Sequence, residues 1–220
     1  AGDFTVCLAR RGGENNTGLV AEIEAAGGKA HSYSLDAREE EYVIACINSI
    51  DNERGALDIV IFNVGGNVNF PLLETTERVF RKVWMMACLG GFLTGREAAK
   101  HMLPRGHGSI FFTGATASIR GGTGYSAFAS AKFGLRALAQ SMARELGPKG
   151  IHVAHLIIDS GVDTEFVRQR ISAAGGEPDS LAPDTLMRPE SVAEAYWQLH
   201  NQRRDAWTHE SDIRPFAEKF

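Results

Sequence analysis

The sequence predicts an α/β fold, a doubly wound parallel sheet with helices on both faces, in a single domain over residues 1–220. Apolar strand-like runs and amphipathic helical segments alternate along the chain, a pattern typical of parallel strands joined by right-handed crossovers. Several strand-like runs are almost continuously apolar, which indicates strands covered on both faces. No linker, internal repeat or low-complexity tract divides the chain, so one domain accounts for it.

Six segments have the composition of strands. "FTVCL" and "IHVAHLII" are short apolar runs, whereas "KAHSYSL" alternates apolar and polar residues. "ALDIVIFNVGG" ends in glycines, which mark the turn that follows the strand. The predicted strands are 4–8, 29–35, 56–66, 108–115, 151–158 and 205–215.

Six further segments have helical periodicity. The longest places Val79, Val83, Met86 and Leu93 on one face. Asp36 followed by Glu39 resembles a capping box, so a helix is expected to begin at Asp36. The predicted helices are 17–28, 36–50, 76–102, 126–146, 164–174 and 189–200.

Composition excludes several classes of function. A formal net charge of −4 gives no electrostatic footprint for a nucleic-acid partner. No apolar run approaches the roughly 18 residues that span a membrane, and the seven histidines show no metal-ligand spacing. Three scattered cysteines favour a reducing compartment, so we expect a cytoplasmic protein that has no metal and acts on a small-molecule substrate.

Five motifs occur in a fixed order at the ends of predicted strands and on the helices that follow. Together they resemble the short-chain dehydrogenase/reductase family, and the resemblance covers essentially the whole chain. It implies a Rossmann-like fold that binds a nicotinamide dinucleotide beyond the carboxyl ends of the strands. The motifs are "SLDAR" (34–38), "FNVGG" (62–66), "FTGATAS" (112–118), "FASAK" (128–132) and "GVDTEF" (161–166).

The resemblance assigns the adenosine end of the cofactor to Arg10, Arg11 and Asp36. A basic residue after the family's second strand accepts the phosphate of NADP, so NADP is implied and NAD is the alternative. An arginine fork suits a phosphate, although two arginines in a turn can equally be solvated charges. Asp36 either meets the adenine ring or caps the following helix with Glu39.

The nicotinamide end is assigned to three other segments. Asn63 and Gly65 stand in the family's turn after its fourth strand, where glycine lets the backbone pass close to a ligand. Thr164 stands in the segment that closes over the nicotinamide, and Lys132 is expected to hold the cofactor ribose. An ordinary tight turn at Gly65 and a snorkelling Lys132 are the alternatives.

The family's glycine-rich fingerprint is not found before Arg10, where the first predicted strand corresponds to the family's second. We therefore expect that the first strand and its glycine loop are missing from the given chain, because a sheet without its central strand leaves backbone groups unpaired. The alternative is a truncated chain without a cofactor site.

The catalytic positions also depart from the family, which uses Asn, Ser, Tyr and Lys. Lys132 is kept, but Phe128 stands at the tyrosine position, Ala115 at the serine position, and Ala87 or Cys88 at the asparagine position. Phenylalanine has no ionisable proton and cannot act as the family's acid. The candidate substitutes are Tyr125, two helical turns before Lys132 if the helix extends that far, the hydroxyls of Thr116 and Ser118, and with least support His155 and Asp159.

Two functions follow from these observations. The first is an oxidoreductase that transfers a hydride between NADP(H) and a carbonyl or alcohol substrate, with Lys132, Tyr125 and Thr116 as candidate catalytic residues. The second is a non-catalytic nucleotide-binding or scaffold protein that has lost most of the tetrad. In the family, the two long helices pair between subunits, so the resemblance also implies a homodimer or homotetramer.

Overall fold

The computed structural model describes residues 4–218 and has the doubly wound α/β architecture that the sequence predicts. All its strand pairs are parallel. The strands are β1 (Thr5–Arg10), β2 (Lys29–Ser34), β3 (Ile59–Phe62), β4 (Gly108–Thr113), β5 (Ile151–Ile158) and β6 (Glu210–Ile213). The helices are α1 (Thr17–Ala25), α2 (Glu40–Arg54), α3 (Glu77–Trp84), α4 (Gly90–Met102), α5 (Ser126–Leu146), α6 (Glu165–Ala173) and α7 (Pro189–His200).

Two cores cover the two faces of the sheet. On one face α2, α4 and α5 enclose a cluster that includes Phe62, Phe112 and Leu135. On the other face Tyr196 and Leu199 of α7 pack on β4 and β5. Every residue of β4 is buried, which confirms the expectation of strands covered on both sides.

The hydrogen-bonded sheet has two parts in the described residues, β1–β2 and β3–β4–β5–β6. β1 is only half-buried along most of its length, and Ile61 of β3 is 44% exposed. The order of strands in a Rossmann sheet places one more strand between these two edges.

One helix start differs from its prediction. The second helix begins at Glu40 with Glu39 as its N-cap, so Asp36 does not cap it. Instead, the Asp36 carboxylate accepts hydrogen bonds from the Arg38 backbone and guanidinium. The reason is a local competition, since a short acidic side chain that binds two residues ahead forms a turn rather than a helix cap.

The segment predicted as a single helix over 76–102 forms one continuous rod with an irregular turn inside it. α3 passes into a π-helical turn over Met85–Leu89, and α4 continues from there. Such π-turns are frequent at functional sites. The turn contains Ala87 and Cys88, both buried, which are the two candidates for the family's asparagine position.

Candidate active site

The candidate catalytic residues collect at the carboxyl ends of β3, β4 and β5, where ligands bind in open parallel sheets. Val64 follows β3, Thr116 follows β4, and Asp159 follows β5. Helix α5 brings Lys132 under the same edge, because its amino-terminal half packs against the turn after β4.

Lys132 is almost fully buried, with 3% of its surface exposed. Its Nζ donates to the carbonyl oxygens of Thr113, at 2.7 Å, and Val64, at 3.3 Å. The amine thereby ties α5 to the ends of two strands. Burial lowers the pKa of Lys132 to about 8, because desolvation disfavours the charged amine. Nothing in this arrangement resembles a solvated surface lysine.

Phe128 lies one helical turn before Lys132 and packs in a cluster of small apolar residues. Its ring centroid is 5.9 Å from the Lys132 Nζ, close enough for a cation–π interaction. The aromatic side chain thus fills the place beside the lysine without offering a proton.

Tyr125 was a candidate substitute acid on the condition that the helix of Lys132 extends back to it, and the helix does not. α5 begins at Ser126, so Tyr125 is the N-cap residue and stands outside the helix face that carries Lys132. Its half-buried ring lies 6.5 Å from that of Phe128, centroid to centroid. The helix does not extend back because Tyr125 closes a turn with Gly122, whose carbonyl accepts its backbone N–H.

Ala115 and Thr116 form the turn after β4. The Ala115 backbone N–H donates to the buried Ser118 hydroxyl at 3.1 Å, so Ser118 stabilises the turn from inside. Thr116 is half-buried and its hydroxyl donates to the Asp159 carboxylate at 2.6 Å. Of the two candidate hydroxyls, only that of Thr116 combines partial exposure with a carboxylate partner.

His155 lies under the same turn and is fully buried. Its Nδ1 is 3.1 Å from a Glu210 oxygen, and Arg136 pairs with both oxygens of Glu210 at 2.6 and 2.7 Å. Burial lowers the pKa of His155 to about 4 in spite of Glu210. A Cβ at position 114 would stand only 2.6 Å from the His155 Nε2, so the Gly114 backbone packs directly against the imidazole. His155 therefore belongs to the interior rather than to the substrate side.

The residues assigned to the adenosine end surround the end of β1. Arg10 and Arg11 are exposed, and Asp36 is held by Arg38. Hydrogen bonds from the Arg38 guanidinium lower the pKa of Asp36 to about 2. Arg38 is thus paired with Asp36, whereas Arg10 and Arg11 stay exposed beside it.

The structure places the other assigned residues as follows. Asn63 and Gly65 are exposed after β3, and a Cβ at Gly65 would meet no atom within 4 Å. Thr164 caps α6, because its hydroxyl accepts the Val167 backbone N–H at 3.3 Å. A binding role for Asn63, Gly65 and Thr164 remains a prediction.

These residues fit parts of a nicotinamide dinucleotide. The ammonium form of Lys132 has three N–H donors, and two carbonyls accept two of them, so in the described residues one remains for a ribose hydroxyl. Open space against Gly65 leaves room for a flat group, and the exposed Arg10 and Arg11 suit a phosphate. In the part of the chain that the structure describes, no cluster of three potential ligands could hold a metal ion.

The fold is that of a Rossmann-like α/β protein, and the candidate residues lie at the edge of the sheet where such folds bind nucleotides. A family model described as "short chain dehydrogenase" matches residues 1–174, and the chain belongs to that family of NAD(P)-dependent oxidoreductases. The expected family and fold class are thereby confirmed.

Three known proteins illustrate the similarity. A 2-dehydro-3-deoxy-D-gluconate 5-dehydrogenase of Formosa agariphila is 30% identical over 74% of this chain and 67% of its own length. A short-chain dehydrogenase from Rhodopseudomonas palustris is 57% identical, with a TM-score of 0.81 over 97% of this chain and 87% of that chain. ElxO with NADP bound is 25% identical, with a TM-score of 0.86 over 96% and 87%. The chain spans about half to two thirds of the length of the first curated relatives that it matches.

The sequence indicated candidate site residues but not the side chains that form hydrogen bonds with them. Glu210 and Arg136 carry no motif, since they meet only when the strands are assembled, whereas Arg38 finds its partner Asp36 within the same turn. Asp159 was visible as a polar residue at the end of an apolar strand, but its pairing with Thr116 crosses 43 positions of sequence. The described residues contain no helix with the length and apolar character of a membrane span.

Proposed function

We propose that the protein is an NADP(H)-dependent oxidoreductase that transfers a hydride between the cofactor and a small carbonyl or alcohol substrate. The observation that carries this proposal is Lys132, a buried amine that donates to two carbonyl oxygens at the edge of the sheet where nucleotides bind. Burying a lysine side chain costs free energy, so its burial indicates that the Lys132 amine has a function at this site.

The bound nicotinamide would supply the hydride acceptor or donor. The chain's own residues would hold and orient it. Lys132 positions the ribose, Gly65 admits the cofactor against the backbone, and Arg10 and Arg11 bind the phosphate that distinguishes NADP from NAD. The similarity to a gluconate-type dehydrogenase supports a hydroxylated carboxylic acid as the first substrate to test.

A titration with NADPH and NADH, followed by nicotinamide fluorescence, tests the cofactor assignment. We expect tighter binding of NADPH, with a loss of at least about tenfold in Lys132→Met, since a charged hydrogen bond contributes about 1.5–3 kcal/mol. Arg10→Ser with Arg11→Ser should weaken NADPH binding and leave NADH binding unchanged.

Lys149→Met is the matched control, because Lys149 is about half exposed and pairs only with Glu145 in the described structure. It should bind NADPH as the wild type does. Failure of the wild type to bind either nucleotide would overturn the proposal.

Phe128 favours a second candidate function, that of a nucleotide-binding protein without turnover. It fills the tyrosine position with a side chain that cannot transfer a proton. NADPH binding without oxidation by any member of a broad carbonyl panel would favour this candidate. Turnover that depends on Lys132 would exclude it.

The protein works as a homodimer or homotetramer in the cytoplasm under the same proposal. Reduced cysteines suit that compartment, and Cys7, Cys46 and Cys88 are all free. Exposed aromatic side chains on the long helices support self-association.

A further inference from the structure

We propose that Thr116 and Asp159 form a proton path that replaces the missing tyrosine, and that this path equips the protein to oxidise alcohols. The inference rests on the proposed NADP-dependent function and adds to it the proton acceptor and the preferred direction of the reaction.

Thr116 and Asp159 combine access with burial. Thr116 is half-buried in the turn after β4, so a ligand at the edge of the sheet can touch it. Asp159 is 1% exposed, and its Oδ1 accepts the Thr116 hydroxyl at 2.6 Å. The buried carboxylate is therefore hydrogen-bonded to a residue that is itself partly exposed.

Two arginines also lie near the Asp159 carboxylate. The Arg120 guanidinium lies 3.5 Å from Oδ1, and that of Arg214 lies 3.8 Å from Oδ2. Arg120 also lies 4.0 Å from Glu218, and Arg214 also pairs with Asp212 at 2.8 Å. The Thr116 hydroxyl, at 2.6 Å, makes a shorter contact with this carboxylate than either guanidinium does.

The direction of the Thr116 hydrogen bond decides what the hydroxyl can do. A hydroxyl has a single O–H donor, and Asp159 takes it. The lone pairs of Thr116 remain, and these accept a hydrogen bond from an alcohol but give none to a carbonyl.

Thr116 also lies close to the residues expected around the reacting atoms. Ala115, its neighbour in the chain, packs against the cluster that contains Phe128. Lys132 donates to the carbonyl of Thr113, three residues before Thr116. The turn that carries Thr116 therefore packs against the helix that carries Phe128 and Lys132.

The proposed step balances as follows. The substrate alcohol gives its O–H proton to the Thr116 oxygen while the threonine proton passes to Asp159. The C–H bond of the carbinol carbon breaks, and its electron pair moves with the hydrogen, as hydride, to the nicotinamide ring of NADP⁺. The products are a carbonyl compound, NADPH and a protonated Asp159. The reverse reaction needs a protonated Asp159 and a Thr116 hydroxyl that donates to the carbonyl, which is the opposite of the hydrogen bond in the structure.

The test measures turnover in both directions, with NADP⁺ and a panel of alcohols headed by gluconate, and with NADPH and the corresponding ketones. Thr116→Val should lower kcat for alcohol oxidation by about a hundredfold, the ordinary contribution of a positioned proton acceptor. Thr116→Ser keeps the hydroxyl and should restore kcat to within about fivefold of the wild type. The KM for NADP⁺ should stay within about twofold in both variants, because neither residue is assigned to the cofactor.

Asp159→Asn tests the second member of the path, and its kcat should fall as far as that of Thr116→Val. Asp159 acts through Thr116, so a double variant should lose no more than either single variant. Thr208→Val is the matched control, since Thr208 is half-buried and its hydroxyl accepts from Gln202 at the other end of the sheet. If Asp159→Asn fails to fold, the kcat values of Thr116→Val and Thr116→Ser still test the proposed proton path.

Each outcome has one meaning. Loss of kcat in Thr116→Val with recovery in Thr116→Ser supports the path. A Thr116→Val enzyme within threefold of the wild type overturns it, as does a wild type that binds NADP⁺ but oxidises no alcohol. Absence of NADP⁺ binding would instead overturn the proposed function itself.

Discussion

At the scale of single residues, the pair of Phe128 and Lys132 explains how this chain differs from the pattern of its family. The lysine keeps its buried place and its two carbonyl partners. The aromatic ring keeps its contact with the amine, but the hydroxyl that would carry the proton is absent. Relative to the family's tyrosine, residue 128 therefore lacks only the hydroxyl group, and the contacts around it are kept.

This reading predicts a gain of activity in Phe128→Tyr. The new hydroxyl would extend from a ring that already lies beside Lys132, so it would restore a proton-transfer group with a cationic neighbour. We expect carbonyl reduction by NADPH to rise by about a hundredfold or more, measured as kcat on the ketones of the panel. Phe128→Leu should give no such rise.

The same substitution checks the route through Thr116. If Thr116 replaces the tyrosine, Phe128→Tyr should rescue the alcohol oxidation that Thr116→Val has lost. Lack of rescue, with NADP⁺ binding intact, would mean that the substrate oxygen does not lie near Phe128.

The residue types at the site could be predicted from the sequence, but their partners could not. "FASAK" gave Lys132 and Phe128 because the spacing along one helix is local. Asp36 was expected at the adenine ring or as a helix cap; it is not the cap, because Arg38, only two residues away, holds its carboxylate, and the adenine contact stays a prediction. The pairing of Thr116 with Asp159 depends on which strands are neighbours, which no local pattern specifies.

At the scale of elements, the His155–Glu210–Arg136 cluster joins β5, β6 and α5. Glu210 receives both the imidazole and the guanidinium, so one carboxylate links two strands and a helix. The His155 Nε2 has no hydrogen-bond partner among the residues that the structure describes. The histidine is therefore stable in its neutral form, with the Nδ1 proton directed at Glu210.

This cluster predicts that stability falls in mild acid. The folded pKa of His155 is about 4, below the value of about 6.5 of an unfolded chain. As the pH falls from about 6.5 to about 4, the unfolded state binds a proton that the folded state does not, so the folded state loses up to about 3 kcal/mol. Urea unfolding of the wild type at pH 7 and pH 4.5 measures the loss.

His155→Gln removes this titration and should show a smaller difference between the two pH values. His107→Gln should keep the wild-type difference, since His107 is mostly exposed. A His155→Gln protein with the full acid sensitivity of the wild type would assign the loss to other groups.

The bounds of an element were predicted best where its apolar pattern continues over many residues. The helix over 126–146 and the strand over 151–158 have the bounds that the sequence indicated. The strand expected over 56–66 is shorter, Ile59–Phe62, because the Asn-Val-Gly-Gly segment that follows turns at the edge of the sheet. The π-turn before α4 has no counterpart in the sequence pattern, since the apolar spacing continues through it.

At the scale of the whole molecule, the outer faces of the long helices leave apolar area uncovered. Phe80, Trp84, Phe92 and Phe133 are each 40–43% exposed. Trp84 of α3 lies near Gly134 of α5, the residue after Phe133. Exposed aromatic surface of this kind is typical of a contact between proteins, and a second copy of the chain offers the same surface in return.

We therefore expect light scattering to give a mass of two or four times 23.9 kDa. Trp84→Glu with Phe133→Glu should shift the particle toward the monomer, because burying two carboxylates in an apolar contact costs several kcal/mol. Tyr42→Glu is the control, since Tyr42 is 60% exposed but lies on α2 rather than on the helices that carry these four aromatic residues. Circular dichroism should show that all three proteins are folded. A wild type that runs as a monomer, or a double variant that keeps its assembly, would move the interface away from these helices.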